Sequence, residues 1–80
     1  MESMPAPSLI AKRVIDAFGG LTKMHESMKA AGTIVPISTI HSWSKSERGI
    51  PRWHRRHILS VAASTHGVAL PEDCVKALDA

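Results

Sequence analysis

Glycine and proline divide this chain at short intervals, and those divisions constrain the fold more than any other feature of the sequence. Gly19-Gly20, Gly32 and Gly67 each close a stretch of helical apolar spacing, and Pro36, Pro51 and Pro71 each stand where another such stretch opens. Glycine is favoured just past a helix end and proline just inside a helix start. The first helix is expected to be capped by Ser8, to carry Leu9, Ile10, Val14, Ile15 and Phe18, and to stop at Gly19-Gly20. The second is capped by Thr22, has the stripe Met24, Met28 and Ala31, and ends at Gly32. Thr33 to Val35 is β-branched and leads into Pro36, which reads as an extended turn.

A third helix runs from about Pro36 to Lys45, and Ser46-Glu47-Arg48-Gly49 is a turn. Pro51 occupies the first position of a fourth helix, which continues through Trp53, Ile58, Leu59, Val61 and Ala62 to about His66. Pro71 opens a last short helix with Val75 and Leu78, and Glu72 and Asp73 sit at its positive N-terminal end. Val68-Ala69-Leu70 is too short for a strand. The expectation is an all-α, compact bundle of about five short helices, preceded by a flexible arm over residues 1–7.

Eighty residues make one domain with a modest core, and 44% hydrophobic content drawn mostly from aliphatic residues favours helices over sheet. No apolar run approaches the roughly 18 residues of a membrane span, and no basic start precedes an apolar stretch as in a secretory signal. Cys74 stands alone, which fits a reducing cytoplasm.

The third helix is unusual in what it leaves outside. Ile40 and Trp43 can anchor one side, while Ser38, Thr39, His41, Ser42 and Lys45 spread over the other. A helix that needed only to be solvated would carry Glu and Lys there, since Ser and Thr are poorer helix formers. Slim hydrogen-bonding side chains let a helix lie close to another surface, and a DNA major groove admits such a helix. A plain solvated helix is the competing reading.

Charge is uneven as well. Of a net +3, residues 31–60 carry Lys45, Arg48, Arg52, Arg55 and Arg56 against Glu47 alone, whereas residues 61–80 carry Lys76 against Glu72, Asp73 and Asp79. Such clustering is an electrostatic footprint for a polyanion, although a solvated cationic face is common in small proteins.

Three segments bring a resemblance. Gly19-Gly20-Leu21-Thr22-Lys23-Met24, then Val35 through Trp43, then Gly49-Ile50-Pro51-Arg52-Trp53 with Ile58-Leu59, resemble small Cro/repressor-type helix-turn-helix proteins of phages and prophages, in particular the YdaS-like regulators. The resemblance covers about residues 8–66. It implies a lambda-repressor-like fold, sequence-specific binding of double-stranded DNA, repression of transcription, and dimers on paired half-sites. By the family pattern Ile37, Ser38 and Ser42 face the bases, with Thr39 and His41 beside them. Phosphate contacts are expected from Lys23, Lys45, Arg48, Arg52 and Arg55. The chain departs from the pattern by about five additional residues between Met28 and Val35, and by Pro36 in place of a hydroxyl cap.

Other chemistries carry less. His54 and His57 are three apart, but one cysteine and scattered histidines match no structural zinc pattern, so no metal or other cofactor is expected. No base stands at fixed spacing from Cys74, and Gly19-Gly20 follows a helix instead of a strand, so no catalytic residue, phosphate loop or small-molecule substrate is expected. Trp43 and Trp53 could stack on bases, but both are expected to pack where the third and fourth helices meet. Val68, Leu70, Val75 and Leu78 offer apolar area for a homodimer, or simply close the monomer's own core. A protein-interaction or antitoxin-like adaptor that does not bind DNA is the alternative function.

Overall fold

Each apolar stripe becomes one buried face of a helix. The structure, a computed structural model, describes residues 6–79, and five helices and no strand occur among them: α1 (Pro7–Phe18), α2 (Leu21–Ala30), α3 (Ile37–Trp43), α4 (Arg52–Ser64) and α5 (Glu72–Asp79). α1 buries Ile10, Ala11, Val14, Ile15 and Phe18, and α2 buries Met24 and Met28 one turn apart. α3 contributes Ile40 and Trp43, α4 contributes Ile58, Val61 and Ala62, and α5 contributes Cys74 and Leu78. Val35 and Ile50, from the connections on either side of α3, complete the core. No polar side chain is buried among the described residues, so the core is dry and held by apolar burial. The radius of gyration, 11.6 Å, is that of one compact domain of this length.

α5 packs on α4 and α1, and an ion pair between Arg13 and Asp73 ties α1 to α5. Both charged groups are well exposed, so that pair is worth at most about 1 kcal/mol. The Cys74 thiol is pushed above its ordinary pKa, first by burial and then by the neighbouring Asp73 carboxylate, which keeps it a protonated apolar filler.

The connection from α2 to α3 is a loop of six residues, Ala31–Pro36. Gly32, at φ +95°, donates to the Lys29 carbonyl while Thr33 donates to Met28, so the end of α2 is satisfied by a Schellman motif. Beyond it the loop is pinned twice. His25 Nδ1 donates to the Val35 carbonyl at 2.6 Å, and His57 Nε2 shares a hydrogen bond with the Thr33 hydroxyl. Val35 thereby inserts into the core while Ile34 points out. The additional residues before α3 form an anchored loop and do not lengthen α2.

Several sequence expectations require correction. The N-cap of α1 is Ala6 in place of Ser8, so Pro7 belongs to the helix and the expected arm is shorter; residues 1–5 lie outside the described residues. Gly20 precedes α2, and Thr22 lies inside it without a capping bond. Pro51 occupies a cap position instead of the first helical position, while Pro36 is the cap of α3 as expected, and both extend away from the helix they precede (ψ 144°). α3 ends at Trp43 and α4 at Ser64, each two residues before the expected end. Ala31 is the exposed C-cap of α2, and Leu9 is exposed on α1.

The largest correction is Trp53. Trp43 is core, 3% exposed, but Trp53 is 78% exposed. The buried stripe of α4 is Ile58, Val61 and Ala62, to which the half-buried His54 is the one-turn extension. Trp53 is one residue off that stripe, and its neighbours at three and seven residues on are Arg56 and Ser60, both exposed. The physical reason is helical phase: a residue adjacent to the buried stripe points well away from it.

Candidate nucleic-acid interface

α3 presents to solvent the residues expected of it. With Ile40 and Trp43 turned inward, Ser38, Thr39, His41 and Ser42 are exposed, and Ile37, at the first helical position, is 39% exposed. The hydroxyl of Ser42 donates to the Thr39 carbonyl at 2.6 Å, and that of Ser44 donates to His41 at 2.7 Å. Ser42 therefore offers lone pairs to a partner without first breaking a bond, and would have to rotate to donate.

The turn after α3 is held from two directions. Gly49 is buried with φ +65°, and a Cβ there would run into the Pro7 carbonyl at the start of α1. Arg55 Nε donates to the Ile50 carbonyl at 3.0 Å from the first turns of α4. These two contacts fix where α4 begins relative to α3, and they open a cleft of about 740 Å³ between the two helices. Ser42, Ser46 and Trp43 contribute from the α3 side, and Arg48, Arg52 and Trp53 from the turn and α4. The aromatic rings run outward in series: Trp43 to His54 at 5.2 Å between centroids, and His54 to Trp53 at 6.1 Å. Burial, and then the neighbouring His57, lower the pKa of His54, so the middle ring of that series favours its neutral form.

The electrostatics of α4 run against the ordinary rule. Its N-terminal half holds Arg52, Arg55 and Arg56, no acidic residue lies in its first turn, and no side chain caps it. Cations at the positive end of a helix dipole cost stability. α5 of the same chain follows the rule, with Glu72 and Asp73 in its first turn. An external anion at the start of α4 would offset the repulsion that the sequence itself leaves in place.

Of the expected phosphate residues, Arg48 and Arg52 are exposed at the cleft, and Lys45 is exposed just beyond α3. Arg55 lines the cleft but is half-buried, with Nε already bonded, leaving its two terminal nitrogens for a ligand. Lys23 is not brought to this cleft; it lines a separate hollow with Glu26 and the Ser64–Val68 segment. Two further residues are named by the sequence without being assigned here: Arg56 only within the basic cluster, and Trp53 as a base-stacking ring set aside for the core. Arg56 is exposed and adjoins Arg52 and Arg55 around a smaller pocket, and Trp53 stands out from the basic face. Both were legible in the helical phase of α4.

Among the described residues no three His, Cys, Asp or Glu side chains converge as metal ligands. No helix of the described residues is long and apolar enough to cross a membrane. Comparison with protein-family models, with curated proteins and with solved structures finds no match.

Proposed function

We propose that the chain is a sequence-specific double-stranded DNA-binding protein, a cytoplasmic transcriptional regulator of the phage or prophage repressor kind. The observation that carries this reading is the juxtaposition of the slim polar face of α3 with the arginines of the turn and of α4. In this reading α2, its loop and α3 act as the helix-turn-helix, and α3 enters the major groove. Ser38 and Ser42 hydrogen-bond base edges, Ile37 packs on a thymine methyl, and Thr39 and His41 lie beside them. Lys45, Arg48, Arg52 and Arg55 hold phosphates, which set register without carrying sequence information. Lys23, at the start of α2, would reach a backbone segment away from the arginine cleft. The activity is binding, with no catalytic step and no cofactor.

A gel shift with fragments of the protein's own upstream region tests the reading. Ser38→Ala or Ser42→Ala should cost about 1–3 kcal/mol on the preferred site and leave non-specific affinity unchanged. Arg52→Ala should weaken binding to every duplex and lower the slope of log K against log salt by about 0.9. Absence of any duplex binding at low salt would reject the reading in favour of an adaptor that engages protein.

A further inference from the structure

Trp53 is the one large aromatic that the core does not use, and its setting is chemically specific. An indole left in water costs apolar burial that the fold could have gained, and most exposed large hydrophobics of this chain are aliphatic. This exposed ring lines a cleft together with Arg48 and Arg52, with Ile50 and Pro51 as apolar lining and with Ser42 and Ser46. The His54 ring lies 6.1 Å from the indole and 5.2 Å from the buried Trp43, both pairs tilted, and so links the exposed ring to the core.

Cationic groups flanking an accessible aromatic face match one nucleotide of a strand, with a phosphate on either side and one planar base. Inside a duplex both faces of each base are covered by their neighbours, so away from duplex ends an indole face has a base to stack on only where the strand is unpaired. We propose that the cleft between the end of α3 and the start of α4 binds an unpaired nucleotide of single-stranded nucleic acid, with Trp53 stacked on the base and Arg48 and Arg52 on the flanking phosphates. Glu47, the one acidic residue of the cleft, repels phosphate, and with Ser42, whose proton is committed to Thr39, it offers acceptors to whichever imino or amino N–H a base presents, the N3–H of thymine included. Stacking is available to every base, so the site tolerates sequence. The inference rests on the cleft and goes beyond duplex recognition by α3, although the two activities share arginines.

The test uses the full chain and an oligothymidylate of about fifteen nucleotides, a length within the range that such sites occupy. Fluorescence anisotropy at low salt should show saturable binding. Acrylamide quenching of the accessible tryptophan fluorescence, which Trp53 dominates because Trp43 is buried, should fall when the oligonucleotide is bound. Trp53→Ala should reduce affinity about five- to a hundred-fold, and Trp53→Phe should retain most of it. Arg52→Gln should lower the salt slope by about 0.7. Thermal melting checks that each variant folds, and quenching of the unaltered chain reads the site without any substitution. No saturable binding, or binding that leaves the quenching and the Trp53→Ala affinity unchanged, overturns the proposal. So does equal protection of Trp53 by a closed-circular duplex, which has no exposed base-pair face, because the indole would then pack on a paired backbone. A failed operator gel shift with oligothymidylate binding intact would reject duplex recognition and leave this site standing.

Discussion

Two tryptophans ten residues apart have opposite roles, and the difference is measurable. Trp43 is buried in the core cluster and meets His54 of α4, whereas Trp53 stands in solvent. Trp43→Ala should destabilise the domain by about 3–5 kcal/mol, enough to unfold a protein of marginal stability. Trp53→Ala should lie within about 0.5 kcal/mol of the parent, as surface substitutions do. Comparable losses in urea denaturation of the two variants would show that Trp53 is buried after all. His54, between the rings, has a pH signature. Its folded-state pKa is lowered, first by burial and then by His57, so its neutral form is favoured in the native protein. As pH falls below the ordinary histidine value of about 6.5, the unfolded chain takes a proton here before the folded chain does. The unfolded state then binds more protons, and stability declines as pH drops further. Melting temperatures from pH 7.5 down to 5 should therefore fall, and His54→Gln should flatten the decline; an unchanged slope would mean that His54 is not responsible.

At the level of elements, the bodies of the helices were legible in the sequence and their boundaries only to within one or two residues. Stripes spaced by three and four residues with glycine stops locate the bodies of α1 and α2, because burial of one face and a C-terminal turn are both written locally. Starts are weakly encoded here: Ala6, Gly20, Pro36 and Pro51 precede helices without a side-chain cap, while the hydroxyls of Ser8 and Thr22 go unused for capping. The polar face of α3 was legible because Ile40 and Trp43 leave only one way to orient the helix. Trp53 was misread because hydrophobicity outweighed its phase on α4. The loop before α3 was legible as an extended turn but its anchors were not, because His25 and His57 belong to two other helices. α4 also carries a cost that belongs to the element as a whole. Arg52→Gln should raise stability by about 0.3–1 kcal/mol in the absence of nucleic acid, since glutamine has similar helix propensity and no charge against the dipole, whereas Arg56→Gln, in the second turn, should change it little. Both should weaken nucleic-acid binding, at Arg52 by the usual exchange between stability and function. Arg55→Gln should instead lower stability, because the bond to the Ile50 carbonyl is lost. Differential scanning calorimetry separates them, and equal effects at all three positions would contradict the assignment.

For the whole molecule, the proposed reading of duplex DNA by so small a domain raises the question of specificity, and that reading calls for two copies. One α3 meets only a few base pairs, while two copies on a twofold-related site make half-site spacing part of the signal. The C-terminal region is divided by the fold in a way that the sequence did not reveal. Leu78, at 2% exposure, closes the monomer's own core and is unavailable, whereas Val75, at 39%, lies at the rim of a 240 Å³ apolar groove with Leu59, Ala62, Ala63, Val68 and Leu70. This groove shares no lining residue with the arginine cleft, and their nearest lining residues on α4, Arg55 and Leu59, are roughly 6 Å apart along the helix. Pairing there would leave both basic faces free. The groove is small, and a stable interface needs about 1,200 Å² or more, so pairing should be concentration-dependent and strengthened by DNA. Deleting residues 68–80 would remove Cys74 and Leu78 from the core and unfold the chain, so a point substitution is the sound probe. Light scattering across micromolar concentrations should show a monomer–dimer equilibrium, with Val75→Arg monomeric and its melting temperature preserved. On a palindromic site Val75→Arg should lose the second binding step while keeping half-site affinity. A parent chain that stays monomeric at high concentration and on a two-fold site would remove the dimer, and single-site binding would then have to supply all the specificity.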